Sequence, residues 1–92
     1  MKPMILSDHA KEQCLRRHAN EEEVTAAIQT AQWEAAKSGR RRARSTAPFG
    51  RPSPVTGRVY QSRTVEAIFV EEPERLVVVT VLVKYSNERV HQ

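Results

Sequence analysis

The order of apolar and polar positions divides the chain into three parts. The first reads as helical. Ser7 is a good N-cap, and Asp8 follows it in the first turn. From Asp8 to His18 there is no Gly or Pro, and Ala10, Cys14, Leu15 and His18 fall on one side of a helical wheel. A second helix starts at Asn20, which caps it, and Glu23 three residues on completes a capping-box pattern. Val24, Ala27, Ile28, Ala31 and Ala35 make a narrow apolar stripe. Trp33 falls opposite that stripe, so the helix is predicted to end near residues 31–33.

The last part is strand-rich. GRVYQSRTVEAIFVEE supplies one or two strands, and Pro73 in EPER marks a turn. LVVVTVLVKY follows, a run rich in β-branched residues. Its odd positions, Val77, Val79, Val81, Val83 and Tyr85, are expected to face the helices. Its even positions, Leu76, Val78, Thr80, Leu82 and Lys84, form a mixed, half-open face. A run apolar on both faces is a central strand rather than an edge. Between the two parts, STAPFGRPSPVTG holds three Pro and two Gly, the mark of a loop or a hairpin with a long tip, and RRRARS could be a strand leading into it.

These elements predict one domain over residues 1–92, helical to 35, a basic loop or hairpin over 36–57, strands over 58–86 and a polar, fraying tail over 87–92. The fold class is α+β, with two N-terminal helices packed on a three- to four-stranded antiparallel sheet.

Composition narrows the class. With 39% hydrophobic and 28% charged residues, the chain is neither disordered nor a membrane protein. The apolar stretch after Met1 is too short for a secretory signal. A single cysteine, Cys14, excludes an internal disulfide and a Cys-built zinc site, and its apolar neighbours make it an inert thiol. A cytoplasmic protein is expected.

Charge sharpens the picture. Residues 35–65 hold eight basic side chains (Lys37, Arg40, Arg41, Arg42, Arg44, Arg51, Arg58, Arg63) and no acid. The net charge of +4 therefore hides a block of +8. Seven of the eight are Arg, which forks onto phosphate. Such a block either binds a polyanion or is a solvated or partner-docking loop. Membrane binding would need an apolar helical face that the block lacks.

Two sets of residues could carry chemistry. His9, Gln13 and Arg16 form a helical stripe, with Arg17 beside it. A His near Arg is the minimum kit for RNA cleavage without metal, the His moving a proton and the Arg holding the charge on phosphorus. The plainer alternative is a solvated surface helix whose His and Arg pair with Asp8 and Glu12. His9 near a helix start suits a general base better than an acid, so a second proton donor is required, with Tyr60 or His91 at hand. Thr80 and Lys84, four apart on the last strand, could orient and contact a phosphate. Thr80 is equally an ordinary strand residue, and Tyr60 an ordinary packing residue. His9, His18 and His91 make no metal spacing, and neither a metal nor another cofactor is expected.

SDHAKEQCLRRHANEEEV, read with VEAIFVEEPERLVVVTVLVKY, resembles a small bacterial family of unknown function. Its members open with a Ser-x-His-Ala helix and close on a Val-Val-Thr-Val strand. His9, Ala10, Arg17, the Glu21–Val24 run and Val79-Thr80-Val81 match. Gln13 stands where an Arg is common, and His18-Ala19 where a Gly and an aliphatic residue are usual. In element order the family is similar to RelE-like ribonuclease toxins. The resemblance implies an RNA endonuclease of the toxin type, independent of metal, whose partners are RNA and a cognate antitoxin protein. His9, Arg16, Arg17 and Thr80 would form its catalytic set. Arg40, Arg41, Arg42, Arg44, Arg51, Arg58 and Lys84 would hold nucleic acid. The alternative is a non-catalytic nucleic-acid-binding or protein-interaction module using the same Arg block.

Overall fold

A computed structural model describes residues 2–87. Strand β1 (Met4–Leu6) leads into helices α1 (Asp8–Arg17) and α2 (Glu21–Thr30). A two-residue strand β2 (Glu34–Ala35) and a short 3-10 turn precede β3 (Arg41–Pro52), β4 (Val59–Glu71) and β5 (Leu76–Ser86). The sheet order is β1-β5-β4-β3-β2. Helix α1 packs on β5 and β1, and α2 packs on β4 and β3. Both helices join one core with the sheet, so they cover the same face. No helix among the described residues is long and apolar enough to cross a membrane.

The fold is α+β, as the pattern implies, but the sheet differs from the expected one. It has five strands and is mixed, because β1 precedes the helices and runs parallel to β5. Three residues are too few to show a strand period. Their place is fixed by partners distant in sequence. Leu76 N donates to Pro3 O at 2.8 Å, and Ser7 N donates to Val78 O at 2.9 Å.

The helix ends follow the local chemistry. Ser7 Oγ accepts from Ala10 N at 3.1 Å. Asn20 and Glu23 close a full capping box, with bonds of 2.8 and 3.2 Å. Helix α2 stops at Thr30. Trp33 then turns back, donates to Ile28 O at 2.9 Å and meets Phe69 edge-on with centroids 4.9 Å apart. Leu15, expected on the apolar side of α1, is 81% exposed. The helix buries only Ala10 and Cys14.

The expected facing of β5 holds for half its length. Leu76 and Val78 are fully buried under the helices, and so is Val81. The switch from even to odd is a β-bulge. Val78 pairs with Phe69 and Thr80 with Ile68, which leaves Val79 as the extra residue. Val77 and Val79 are thus half-buried, and only Val81, Val83 and Tyr85 follow the expected phase. Full burial of Phe69, Ile28, Leu76, Val24, Val78 and Val81 contributes about 1.5–3 kcal/mol for each large side chain.

The basic stretch is the β3–β4 hairpin. Its tip, residues 53–58, closes through Ser53 N to Arg58 O at 2.7 Å and Gly57 N to Ser53 O at 2.8 Å. Gly57 has φ 76°, which other residues adopt only with strain. One extra residue in β3 between Pro48 and Arg51 shifts the register near the tip. The proposed tail lies outside the described residues apart from Asn87.

Candidate nucleic-acid interface

Arg63 organises the end of the sheet nearest the hairpin tip. It sits on β4 in the register row of Ala47 and Tyr85. Each of its three guanidinium nitrogens makes a hydrogen bond. Nη1 donates to Glu23 Oε2, Nη2 donates to His18 O at 2.9 Å, and Nε donates to Tyr85 Oη at 3.4 Å. Burial works against the charge, but the bonds to Tyr85 and Glu23 and the attraction of Glu23 prevail, so Arg63 holds its proton more tightly than a free arginine. One side chain thereby joins the α1–α2 turn, the α2 capping box and the last strand.

Three aromatic rings gather beside it. Phe49 lies 5.2 Å from Tyr85, and Tyr60 lies 5.4 Å from Tyr85, centroid to centroid. Each carries an Arg over its face. Arg51 is 4.7 Å from the Phe49 centroid, Arg58 is 5.9 Å from Tyr60, and Arg63 is 5.9 Å from Tyr85. Phe49, Tyr60 and Tyr85 are widely spaced in sequence and follow no helical or strand period. Only the hairpin bend and the β4–β5 register bring them together.

Open space lies along this cluster in three stretches, neighbours in the row sharing lining residues. The first, about 270 Å³, lies between α2 and β3, over Glu23, Ala26, Ala47 and Phe49. It shares Arg51 and Arg63 with a cleft of about 480 Å³ walled by His18, Asn20, Pro52 and Tyr85. Beyond Tyr85, a third space of about 170 Å³ is lined by Arg17, Ser53, Tyr60 and Val83. Among the described residues, Arg17, Arg51 and Arg58 have no carboxylate partner, so the groove is electropositive.

His18 faces the middle cleft from an unusual backbone position. It has φ 54° and ψ 40°, the left-handed region. Ala19 N donates to Cys14 O at 3.0 Å, the closing bond of a Schellman turn, in which glycine is the favoured residue at the position of His18.

The structure disperses the residues singled out in the sequence. His9 is exposed in the first turn of α1, and Arg16 is exposed and paired with Glu12. Arg17 lines the groove near Tyr60. The span from His9 to Arg17 along α1 is about 12 Å at 1.5 Å per residue. Thr80 pairs with Ile68, and Lys84 with Thr64, on the sheet face away from the helices. His9, Arg17 and Thr80 therefore do not share a face. His91 lies outside the described residues.

The Arg block also divides. Arg42 and Arg44 flank Glu66, whose side chain is 7% exposed, with Nε–Oε1 distances of 3.4 and 3.2 Å. Arg44 also reaches Glu34 at 3.8 Å. These two arginines neutralise a carboxylate sunk in the open face of the sheet. Arg40 and Arg41 are exposed near β2, and Arg51 and Arg58 attend the aromatic groove. Burial, reinforced by Glu21 and Glu23, pushes the Cys14 thiol above its ordinary range. Among the described residues, no group of three or more His, Cys, Asp or Glu is placed to hold a metal. No family model, curated protein or solved structure matches this chain, so the chemistry of the groove rests on its own geometry.

Proposed function

We propose that this protein acts on nucleic acid and grips a single-stranded segment in the groove between α2, the hairpin tip and β5. The observation that carries this reading is the Phe49–Tyr60–Tyr85 cluster with Arg51 and Arg58 over its rings. Aromatic faces accept any base, and arginines free of carboxylates accept the phosphates between bases. A duplex would offer its stacked bases no access to such a groove. Metal-independent RNA cleavage of the toxin type, controlled by an antitoxin, is the catalytic form of this reading. A non-catalytic binding module is its other form.

The test is titration of a fluorescent single-stranded oligonucleotide at low and moderate salt. Affinity should fall steeply with salt, because bound phosphates release counterions. Arg51→Gln and Arg58→Gln should weaken binding, while Arg42→Gln should matter little because Arg42 serves Glu66. Absence of binding at low salt, or equal losses at Arg42 and Arg51, would refute the groove as the site.

A further inference from the structure

We infer that His18 and Tyr85 form a proton-transfer pair for RNA strand cleavage, with Arg51 as the phosphate ligand between them. This inference rests on the nucleic-acid reading of the same groove. All three residues wall one cleft. No sequence pattern joins them, since they come from the end of α1, the β3 side of the hairpin and β5.

Each residue has a feature that suits its role. His18 occupies a turn position where glycine fits without strain, and its imidazole is exposed rather than packed. The turn itself gains nothing from an imidazole. Residues held in sparsely populated backbone regions cluster at functional sites. Tyr85 Oη accepts a hydrogen bond from Arg63 Nε, so its own O–H is free to donate, and the cation beside it stabilises the phenolate that donation leaves. Arg51 stands at the same cleft with no carboxylate partner among the described residues. Arg63 suits this role less well than Arg51, because each of its three nitrogens already donates to Glu23, His18 O or Tyr85. Arg63 is a positioning residue that sets the spacing between the His18 turn and the Tyr85 hydroxyl.

The step balances within the cleft. His18 takes the proton of the ribose 2′-OH as the 2′ oxygen bonds to phosphorus. The bond from phosphorus to the 5′ oxygen breaks, and Tyr85 gives its proton to that oxygen. Arg51 stabilises the charge on the phosphorane. The products are a 2′,3′-cyclic phosphate and a 5′-hydroxyl, and a proton passes from the imidazolium to the phenolate through solvent. The substrate class is single-stranded RNA, since DNA lacks the 2′-OH nucleophile.

The experiment measures binding and cleavage of a short mixed-sequence RNA, and of the same sequence as DNA, in chelator. The variants are His18→Gly, His18→Asn and Tyr85→Phe. Glycine and asparagine both tolerate the left-handed turn, so the fold is not at risk. Expected are cleavage of RNA but not DNA, and in each variant a loss of about a hundredfold in cleavage that far exceeds any change in its RNA binding. Wild type that binds RNA yet cuts none would overturn the inference and leave the binding reading intact. Full cleavage by His18→Gly, or loss in His9→Ala alone, would overturn it as well. Failure of the wild type to bind RNA would remove the reading beneath it.

Discussion

Gln13 Oε1 accepts a hydrogen bond from Val81 N at 2.7 Å, which ties the middle of α1 to the β-bulge of β5. A bulge leaves ladder groups without their usual partners. Here the helix supplies one. Gln13→Ala would leave the partly buried amide unsatisfied and should cost about 1–3 kcal/mol, read as a lower urea midpoint with an unchanged m-value.

The bulge also sets which valines tolerate a charge. Val78 is fully buried, whereas Val79 is the extra, half-buried residue. Val78→Asp should cost several kcal/mol, on the order of the whole stability of a small domain. Val79→Asp should remain folded. Thermal denaturation of the pair checks the phase of β5, and equal losses would contradict it.

His18→Gly should raise stability by about 0.5–1 kcal/mol, because glycine adopts the turn without strain. Chemical denaturation measures it. A destabilised glycine variant would mean that the imidazole makes a packing contribution.

Glu66 holds two arginines on the open face of the sheet. Both are partly exposed, so solvent screens each pair. Glu66→Gln should cost about 1 kcal/mol through the lost ion pairing with Arg42 and Arg44. It should also improve oligonucleotide binding slightly by uncovering positive charge. Stability measured by urea and affinity measured by titration separate the two effects.

Cys14 carries a pH signature. Burial, then Glu21 and Glu23, raise its thiol pKa in the folded state. The folded protein thus keeps a proton that the unfolded chain gives up. The contribution is fully present below the ordinary thiol pKa of about 8.5 and is lost as pH rises through the folded value. Stability of Cys14→Ala should therefore fall less than wild type over the alkaline range, measured by denaturation at a series of pH values.

Much of the architecture is legible in the residues. The two caps at Ser7 and Asn20, the EPER turn and the β-branched run of β5 are local signals, and each forms as its chemistry dictates. Three features were hidden for physical reasons. β1 has too few residues to show a period and exists only because β5 offers it an edge. The bulge at Val79 depends on pairing with β4, which no pattern within β5 encodes. The division of the Arg block depends on Glu66, a single acid beyond the stretch that carries the charge. The candidate site suffered most. Of the aromatic groove, Tyr60 and the arginines Arg17, Arg51 and Arg58 are legible in the sequence, whereas Phe49 and Tyr85 become their neighbours through the sheet rather than the sequence.

The parallel pairing of β1 with β5 joins Met4 to Leu76 and Leu6 to Val78. The first residues of the domain to leave a ribosome thus wait for the last strand. Until β5 emerges, α1 has no surface for Ala10 and Cys14, and Gln13 has no amide to accept from. The β3–β4 hairpin closes over a short tip and can form early. Loop closure between residues so far apart is slow and comes late. Nascent chains halted before β5 should expose the buried side of α1 and recruit chaperones, whereas chains released with β5 complete should not.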